Sequence, residues 1–320
     1  MCVLNKVSVS LLTYNSRAYL SECLESVLGQ TYPRVEVVIV DNRSSDGTVD
    51  YVREHWPGLS LYHNTENVGY SAGHNRGIRM SDGDYVLVLN PDVVLQRDCI
   101  GYLVEAIERD ERAGAAMGKL YTWGSRQEAS PVFDSVGVYI RKNRRTLDRG
   151  QGEADVGQYD EVRECFGASG AVGLYRRAML EDVRLGDEYF DEDFFAYREE
   201  VDLAWRSRLL GWTCVFEPRA VGYHDRTYTP RTRSSMPGHL RRHMLKNRYL
   251  LLLKDDELRH VLRHLLHIVW FELRLWGYTL LTEPHLMSVV LDVLRLVPRM
   301  LDKRKQTMAR RRTAPNEMLR

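Results

Sequence analysis

The chain has 320 residues, 44% hydrophobic and 28% charged, values that exclude a wholly disordered chain. Five widely spaced cysteines with no CxxC pair exclude a disulfide framework and a zinc ribbon, and fit a reducing cytosol. The net charge of +1 conceals a division: residues 231–320 carry 19 Lys and Arg against 8 Asp and Glu, whereas the first 230 carry 26 against 36. An acidic front suits a metal or a cationic transition state. A basic rear suits an anionic surface, such as phospholipid headgroups or nucleic acid.

The opening residues MCVLNKVSVSLLTYN hold one Lys and no small-residue cleavage pattern, so they read as a first buried strand rather than a signal peptide. The apolar run 7–12 predicts that strand. Leu20, Cys23, Leu24, Val27 and Leu28 fall at helical spacing within 18–28. Residues 35–40 predict a second strand, 48–55 a short helix, 59–63 a third strand, 71–80 a helix ending at Gly83, and 85–89 a fourth strand. Continuous apolar strands with helices between them indicate an α/β fold, with a mostly parallel sheet covered on both faces. Further on, 100–111 reads as a helix and 115–121 as a strand. Residues 123–160 have no clear period and read as loops around a short strand at 136–140. A strand at 168–175, a helix at 200–210 stopped by Gly211, and a strand at 213–216 follow.

After Pro237 the spacing predicts three amphipathic helices, at 239–254, 257–281 and 285–302. The second carries Arg263, His264, His267, Glu272 and Arg274, whereas a bilayer span needs about 20 largely uncharged residues. It suits the membrane interface, with Trp270, Trp276 and Tyr278 at headgroup level, or else packing on the sheet or in a homodimer. The expected division is a catalytic domain at 1–236, a helical extension at 237–302, and a basic disordered tail at 303–320.

Ligands of an open parallel sheet gather beyond the carboxyl ends of its strands. Thr13-Tyr14-Asn15 follows strand one, Asp41-Asn42-Arg43-Ser44-Ser45-Asp46-Gly47-Thr48 follows strand two, and Asn90-Pro91-Asp92 follows strand four. Any one of these is an ordinary turn, but three on one edge define a candidate binding site. The stretch 67–77, with Gly69, Gly73 and Gly77, would let backbone approach a ligand and turn helix N–H groups outward, which suits a diphosphate or a nucleoside. Neither GxGxxG nor GxxxxGK[ST] occurs, which disfavours a dinucleotide fold and a P-loop nucleotidase.

The order Leu12-Thr13-Tyr14-Asn15, Val40-Asp41-Asn42 with Ser44-Ser45-Asp46-Gly47-Thr48, Asn67 to Gly77, and Leu89-Asn90-Pro91-Asp92 resembles the family 2 inverting glycosyltransferases, most of all the rhamnosyltransferase-like branch. The likeness continues through 167–171, 190–197, Glu199-Glu200-Val201-Asp202-Leu203 with Arg206, and Tyr223-His224. It covers roughly residues 6–250. It implies the GT-A fold of nucleotide-diphospho-sugar transferases, here with an amphipathic helical extension at the C-terminus.

The resemblance also assigns roles. Asp92, with His224, would hold Mn2+ or Mg2+; Asn90-Pro91-Asp92 offers one carboxylate where many relatives have two. Asp41 would accept N3–H of uracil or thymine, and Thr13, Tyr14 and Asn15 would frame base and ribose. Asn67, Gly69, Asn75 and Asn90 would contact the rest of the donor. Inversion by single displacement needs a base, with Glu200 first, Glu199 second and Asp202 third in order of expectation. Glu200 stands where Asp is usual and reaches about 1.5 Å further. Arg206, one turn on, would pair with Asp202, and Asp191, Asp193 and Phe195 would shape the acceptor site.

The implied donor is dTDP-L-rhamnose or a UDP-hexose. The implied acceptor is a surface glycan or a lipid-linked glycan, met in the cytoplasm at the inner face of an anionic membrane. The absence of QxxRW favours single additions over processive synthesis. Two alternatives remain open. A nucleotidyltransferase would want a GxGxR-type loop near the start, which is absent. A degenerate, membrane-associated scaffold is motivated by the Glu at the base position and by the single metal carboxylate. Nucleic-acid binding is disfavoured because no reader motif accompanies the Arg-rich tail.

Overall fold

Strand and helix alternate through the first 110 residues, as the apolar periods predict. The computed structural model describes residues 4–228, 232 and 235–313. The elements begin β1 (Val7–Thr13), α1 (Leu20–Leu28), β2 (Val35–Asp41), α2 (Thr48–His55), β3 (Ser60–His63), α3 (Gly69–Arg79), β4 (Tyr85–Leu89), β5 (Val93–Leu95) and α4 (Cys99–Glu108). Next come β6 (Ala113–Thr122), β7 (Phe133–Ser135), β8 (Val138–Ile140), β9 (Thr146–Asp148), β10 (Glu164–Cys165), β11 (Val172–Arg176), α5 (Arg177–Val183), α6 (Glu199–Leu209) and β12 (Thr213–His224). Helices α7 (Gly238–Lys254), α8 (Leu258–Arg263), α9 (Leu265–Thr282) and α10 (Val289–Ala309) complete the chain.

The sheet order is β10-β12-β6-β11-β4-β1-β2-β3, with β5 added beside β12 and β7 beside β6. Strands β3, β2, β1 and β4 are parallel, β12 is parallel to β6, and β11 runs antiparallel between β4 and β6. Register places Thr13 opposite Asp41 and Asp41 opposite His63, so three strand ends form one level edge. Side chains alternate across β1. Val7, Val9 and Leu11 enter the main core, each such burial contributing about 1.5–3 kcal/mol, while Ser8 and Ser10 face α3. Helix α3 lies close on that face because Gly73 and Gly77 lack side chains: a Cβ there would collide with Leu12 or Ser10.

The rear of the chain differs from the expectation in two ways. The second predicted helix divides at His264 into α8 and α9. Lys303, Arg304 and Lys305 lie within α10 instead of a disordered tail, and Arg312 pairs with Asp182 at 2.8 Å. Residues 314–320 fall outside the described residues. Helices α7 and α10 pack on the front half. Lys254 and Lys303 cross into the front half, where Asp191 accepts from Lys254 at 2.5 Å and from Lys303 at 2.6 Å, with Asp191 and Lys254 buried to 1% and 0% exposure. Among the described residues no helix is long and apolar enough to cross a membrane. Helices α8–α10 nevertheless leave Leu262, Leu266, Trp270, Leu273, Leu281 and Leu294 exposed.

Candidate active site

The level edge of β1–β3 builds the first wall. Asp41 is fully buried; its Oδ1 accepts from Thr13 at 2.8 Å and from the Ser44 hydroxyl at 2.5 Å. Its Oδ2 accepts from the Ser44 amide and meets His63 Nδ1, both at 2.9 Å. The carboxylate is thus already occupied by protein, and a base N3–H reaches it only in place of one of these partners. His63, whose side chain is 41% exposed, is the one at the mouth. Asn15 adopts φ 50° and accepts from the Ser45 amide at 2.8 Å, tying the loop after β1 to the loop after β2. Tyr14 is 52% exposed beside them.

The glycine-rich entry to α3 serves the protein rather than a ligand. The amide N–H groups of Tyr70 and Ser71 donate to the Phe195 carbonyl, at 2.6 and 3.3 Å, so they are not turned outward as expected. Gly69 has φ 83°, and a Cβ there would stand 2.6 Å from Phe195. Asn67, exposed, accepts from the Gly69 amide at 2.9 Å. Asn75 is fully buried and uses both sides of its amide on Tyr189, Phe190 and Glu192. It has nothing left for a donor, which corrects that expectation. Asn90 is half-buried, its backbone N–H donating to Ala171 at 2.9 Å.

Asp92 and His224 are brought together, because β12 pairs antiparallel with β5 and sets His224 opposite Val93. His224 Nε2 faces Asp92 Oδ1 at 3.3 Å, and that oxygen is buried without a hydrogen-bond partner among the described residues. On the other side of the ring, Nδ1 meets Asp134 Oδ2 at 2.8 Å. Burial would lower the imidazole pKa, but the carboxylates of Asp134 and Asp92 outweigh it and hold His224 up at about 9. Asp134 in turn pairs with Arg226 at 2.7 Å, and Arg226 reaches Asp148 at 3.1 Å. An oxygen and a nitrogen donor, with a second carboxylate fixing the ring, fit a divalent cation such as Mn2+ or Mg2+. Among the described residues no three such side chains form a closed metal cage.

The candidate bases stand at the start of α6. Glu200 lines a cavity of about 730 Å³ together with Asp148, Arg226 and residues of α7 and α9. Burial, then the nearby Asp148, pushes its carboxyl up to about 7 against the pull of Arg198 and Arg226. Glu199 is 3% exposed and does not line that cavity; burial and then Glu200 hold it well above the usual carboxylate range. The segment feeding α6 is strained, with φ of 64°, 71° and 73° at Phe195, Tyr197 and Arg198, conformations that cost about 1–3 kcal/mol each. Asn247 of α7 holds it, its Nδ2 lying 2.9, 2.8 and 2.6 Å from the carbonyls of Phe194, Ala196 and Tyr197. Helix α7 therefore holds the segment that leads into Glu199 and Glu200.

Four other expected residues do other work. Asp202 is fully buried and paired with Lys254 and with Arg206, the latter at 2.8 Å, so it is not free to act as a base; its bond to Arg206 is as predicted. Asp191 and Asp193 are turned toward α10 rather than the cavity. Although burial opposes it, Lys254 and Lys303 hold Asp191 well below the usual range, and Asp193 pairs with Lys303 and Arg299. Phe195 stacks on His243 at 4.7 Å while its carbonyl caps α3. Sequence reasoning missed Asp134, Asp148, Arg226 and Asn247. Arg226, two residues past His224, was the only one with a nearby signal.

An open, mostly parallel sheet with a polar edge, a carboxylate–imidazole pair and a raised carboxyl in a cavity defines a GT-A type sugar-nucleotide transferase architecture. The family model described as Glycosyl transferase family 2 matches residues 8–183, more than half of the chain. The chain belongs to that family. It is similar to N-acetylglucosaminyl-diphospho-decaprenol L-rhamnosyltransferase of Mycobacterium tuberculosis, 29% identical over 75% of this chain and 81% of that one. It is also similar to poly-beta-1,6-N-acetyl-D-glucosamine synthase of Staphylococcus epidermidis, 25% identical over 67% of this chain, and spans 48% of that relative's length. Among solved structures, S. aureus TarS 1-349 in complex with UDP-GlcNAc aligns with a TM-score of 0.59 at 19% identity, over 94% of this chain and 92% of that one. A mannosyltransferase from Pyrobaculum calidifontis in complex with GDP-Man and Mn2+ aligns with a TM-score of 0.56 at 17% identity, over 97% and 86%. These structural likenesses bear on the fold.

Proposed function

We propose that the chain is an inverting, metal-dependent glycosyltransferase. It moves one sugar from dTDP-L-rhamnose or a UDP-hexose to a hydroxyl of a surface glycan or lipid-linked acceptor. The observation that carries this reading is the chain of ion pairs Arg226, Asp134, His224, Asp92, which runs from a metal-type pair to the cavity that Arg226 shares with Glu200, whose carboxyl is pushed up to about 7. Bound there, Mn2+ or Mg2+ would supply positive charge against the departing diphosphate.

The protein's own groups do the rest. Asp92 Oδ1 and His224 Nε2 would hold the cation once the imidazole has given up its Nε2 proton, and Asp134 on Nδ1 fixes the tautomer. Asp41 accepts the pyrimidine N3–H as His63 swings aside. Glu200 takes the proton from the acceptor hydroxyl. The acceptor oxygen bonds to the anomeric carbon while the bond to the diphosphate oxygen breaks, its electron pair leaving with the diphosphate. Attack from the far side inverts the configuration. Helices α8–α10 rest on an anionic membrane: Leu262, Leu266 and Trp270 are exposed beside Arg259 and Arg263.

A thermal-shift screen of nucleotide sugars with and without Mn2+ tests the reading, followed by assay of nucleotide release with the stabilising sugar. A metal-dependent shift with one pyrimidine sugar, and turnover of that sugar, is expected. No shift with any nucleotide sugar, or equal shifts with and without Mn2+, rejects it.

A further inference from the structure

The cavity that holds Glu200 is walled by six arginines against two carboxylates, Asp148 and Glu200. Three of the six have work inside the protein: Arg226 pairs with Asp134 and Asp148, Arg248 with Glu272, and Arg198 binds Thr146 and the Met244 carbonyl. The other three, Arg141, Arg145 and Arg274, are exposed at the rim and meet no carboxylate among the described residues; Arg141 reaches only the Tyr139 hydroxyl, at 3.2 Å. The donor edge does not share this wall, because neither Thr13, Asp41 nor Asp92 lines the cavity. The uncompensated positive charge therefore faces whatever Glu200 deprotonates. Guanidinium forks match phosphate oxygens with paired hydrogen bonds.

Helix α9 adds a second constraint. Its Phe271, Arg274, Leu275 and Tyr278 line the cavity, at one-turn spacings, while Leu266, Val269, Trp270 and Leu273 of the same helix are exposed outside it. A molecule bound at the rim thus has guanidinium groups on one side of α9 and an apolar surface on the other.

The geometry points to Arg141, Arg145 and Arg274 as a phosphate subsite for the acceptor, which is a sugar joined through phosphate to a lipid. The phosphate sits on the rim arginines, the sugar hydroxyl enters the cavity toward Glu200, and the lipid leaves along the apolar face of α9. This inference rests on the transferase reading above, and the two are separable by experiment.

The full-length protein, saturated with Mn2+ and with UDP or dTDP, whichever binds, to fill the donor edge, is titrated calorimetrically with geranyl diphosphate, geraniol and inorganic pyrophosphate. Geranyl diphosphate is expected to bind at least about ten-fold more tightly than either fragment, and Arg145→Gln with Arg274→Gln to lose at least about ten-fold of that affinity. Circular dichroism of the double variant shows that it is folded. Equal binding of geraniol and geranyl diphosphate, or unchanged affinity in the double variant, overturns the subsite. Pyrophosphate binding as tightly as geranyl diphosphate overturns the lipid assignment. If neither UDP nor dTDP binds with Mn2+, the transferase reading is what fails, and the same three probes still test the arginines on the nucleotide-free protein.

Discussion

Replacing Glu200 by Gln removes a proton acceptor while keeping nearly the same shape. General-base catalysis contributes about 10²–10⁴-fold, so transfer should fall by that factor while donor binding persists. The pH dependence is more specific. With the carboxyl at about 7, only about a tenth of the wild-type protein carries the ionised base at pH 6, so kcat/KM should rise roughly ten-fold from pH 6 to pH 8. Stability should move the other way. The folded pKa of about 7 lies above the ordinary 4.5, so the folded state keeps a proton that the unfolded chain has released between those values. The wild type is therefore fully stable with respect to this group below pH 4.5 and loses about 2–3 kcal/mol as pH rises to 7. Glu200→Gln should match the wild type at pH 4 and be more stable than it at pH 8. The assays are nucleotide release with acceptor, from pH 5.5 to 8.5, and urea unfolding at both ends. A variant within about ten-fold of the wild-type rate, or a flat wild-type profile, would refute the assignment and move the base to Glu199.

Lys303→Met leaves Asp191, Asp193 and Glu188 short of a buried cation. It should cost about 3–5 kcal/mol, read as a lowered urea midpoint, and a loss below about 1 kcal/mol would show that the cluster does not fasten α10. Asn247→Ala frees the strained segment before α6, so kcat should fall by about 10²-fold with donor affinity intact. Unaltered kcat would place Asn247 outside the support of Glu200. Leu266→Ser with Trp270→Ser should weaken partitioning onto vesicles of anionic lipid, because both side chains are exposed on α9; equal partitioning would reject membrane contact there. These surface substitutions are cleaner than truncation at Pro237, which would leave Asp191 and Asp202 buried without Lys254.

The front of the molecule was legible because its signals are local. β1, β2 and β4 are apolar runs ending in turn residues, and Thr13, Asp41 and Asp92 follow directly from where those runs stop. What escaped depends on contacts distant in sequence. Asp134 lies in a stretch with no period, 90 residues from the His224 it orients. Asn75 was expected at the donor and Asn247 looks like an ordinary polar position on a helix until their partners, 50 or more residues away, are known. Asp191 and Asp193, among aromatic residues, resemble a sugar-binding surface, but the cations that claim them stand on α7 and α10. The charge division was visible, yet part of that positive charge turns inward. Lys254 is a buried counter-ion rather than part of a surface.

The proposed transferase activity depends on Asp92 and His224 holding one divalent cation. Its most direct test is Mn2+ titration followed by electron paramagnetic resonance, with UDP or dTDP present, for the wild type and for Asp92→Asn and His224→Gln. One tightly held Mn2+ per chain that needs UDP or dTDP is expected, with affinity falling at least about ten-fold in each variant. Undiminished Mn2+ binding in both variants would contradict it.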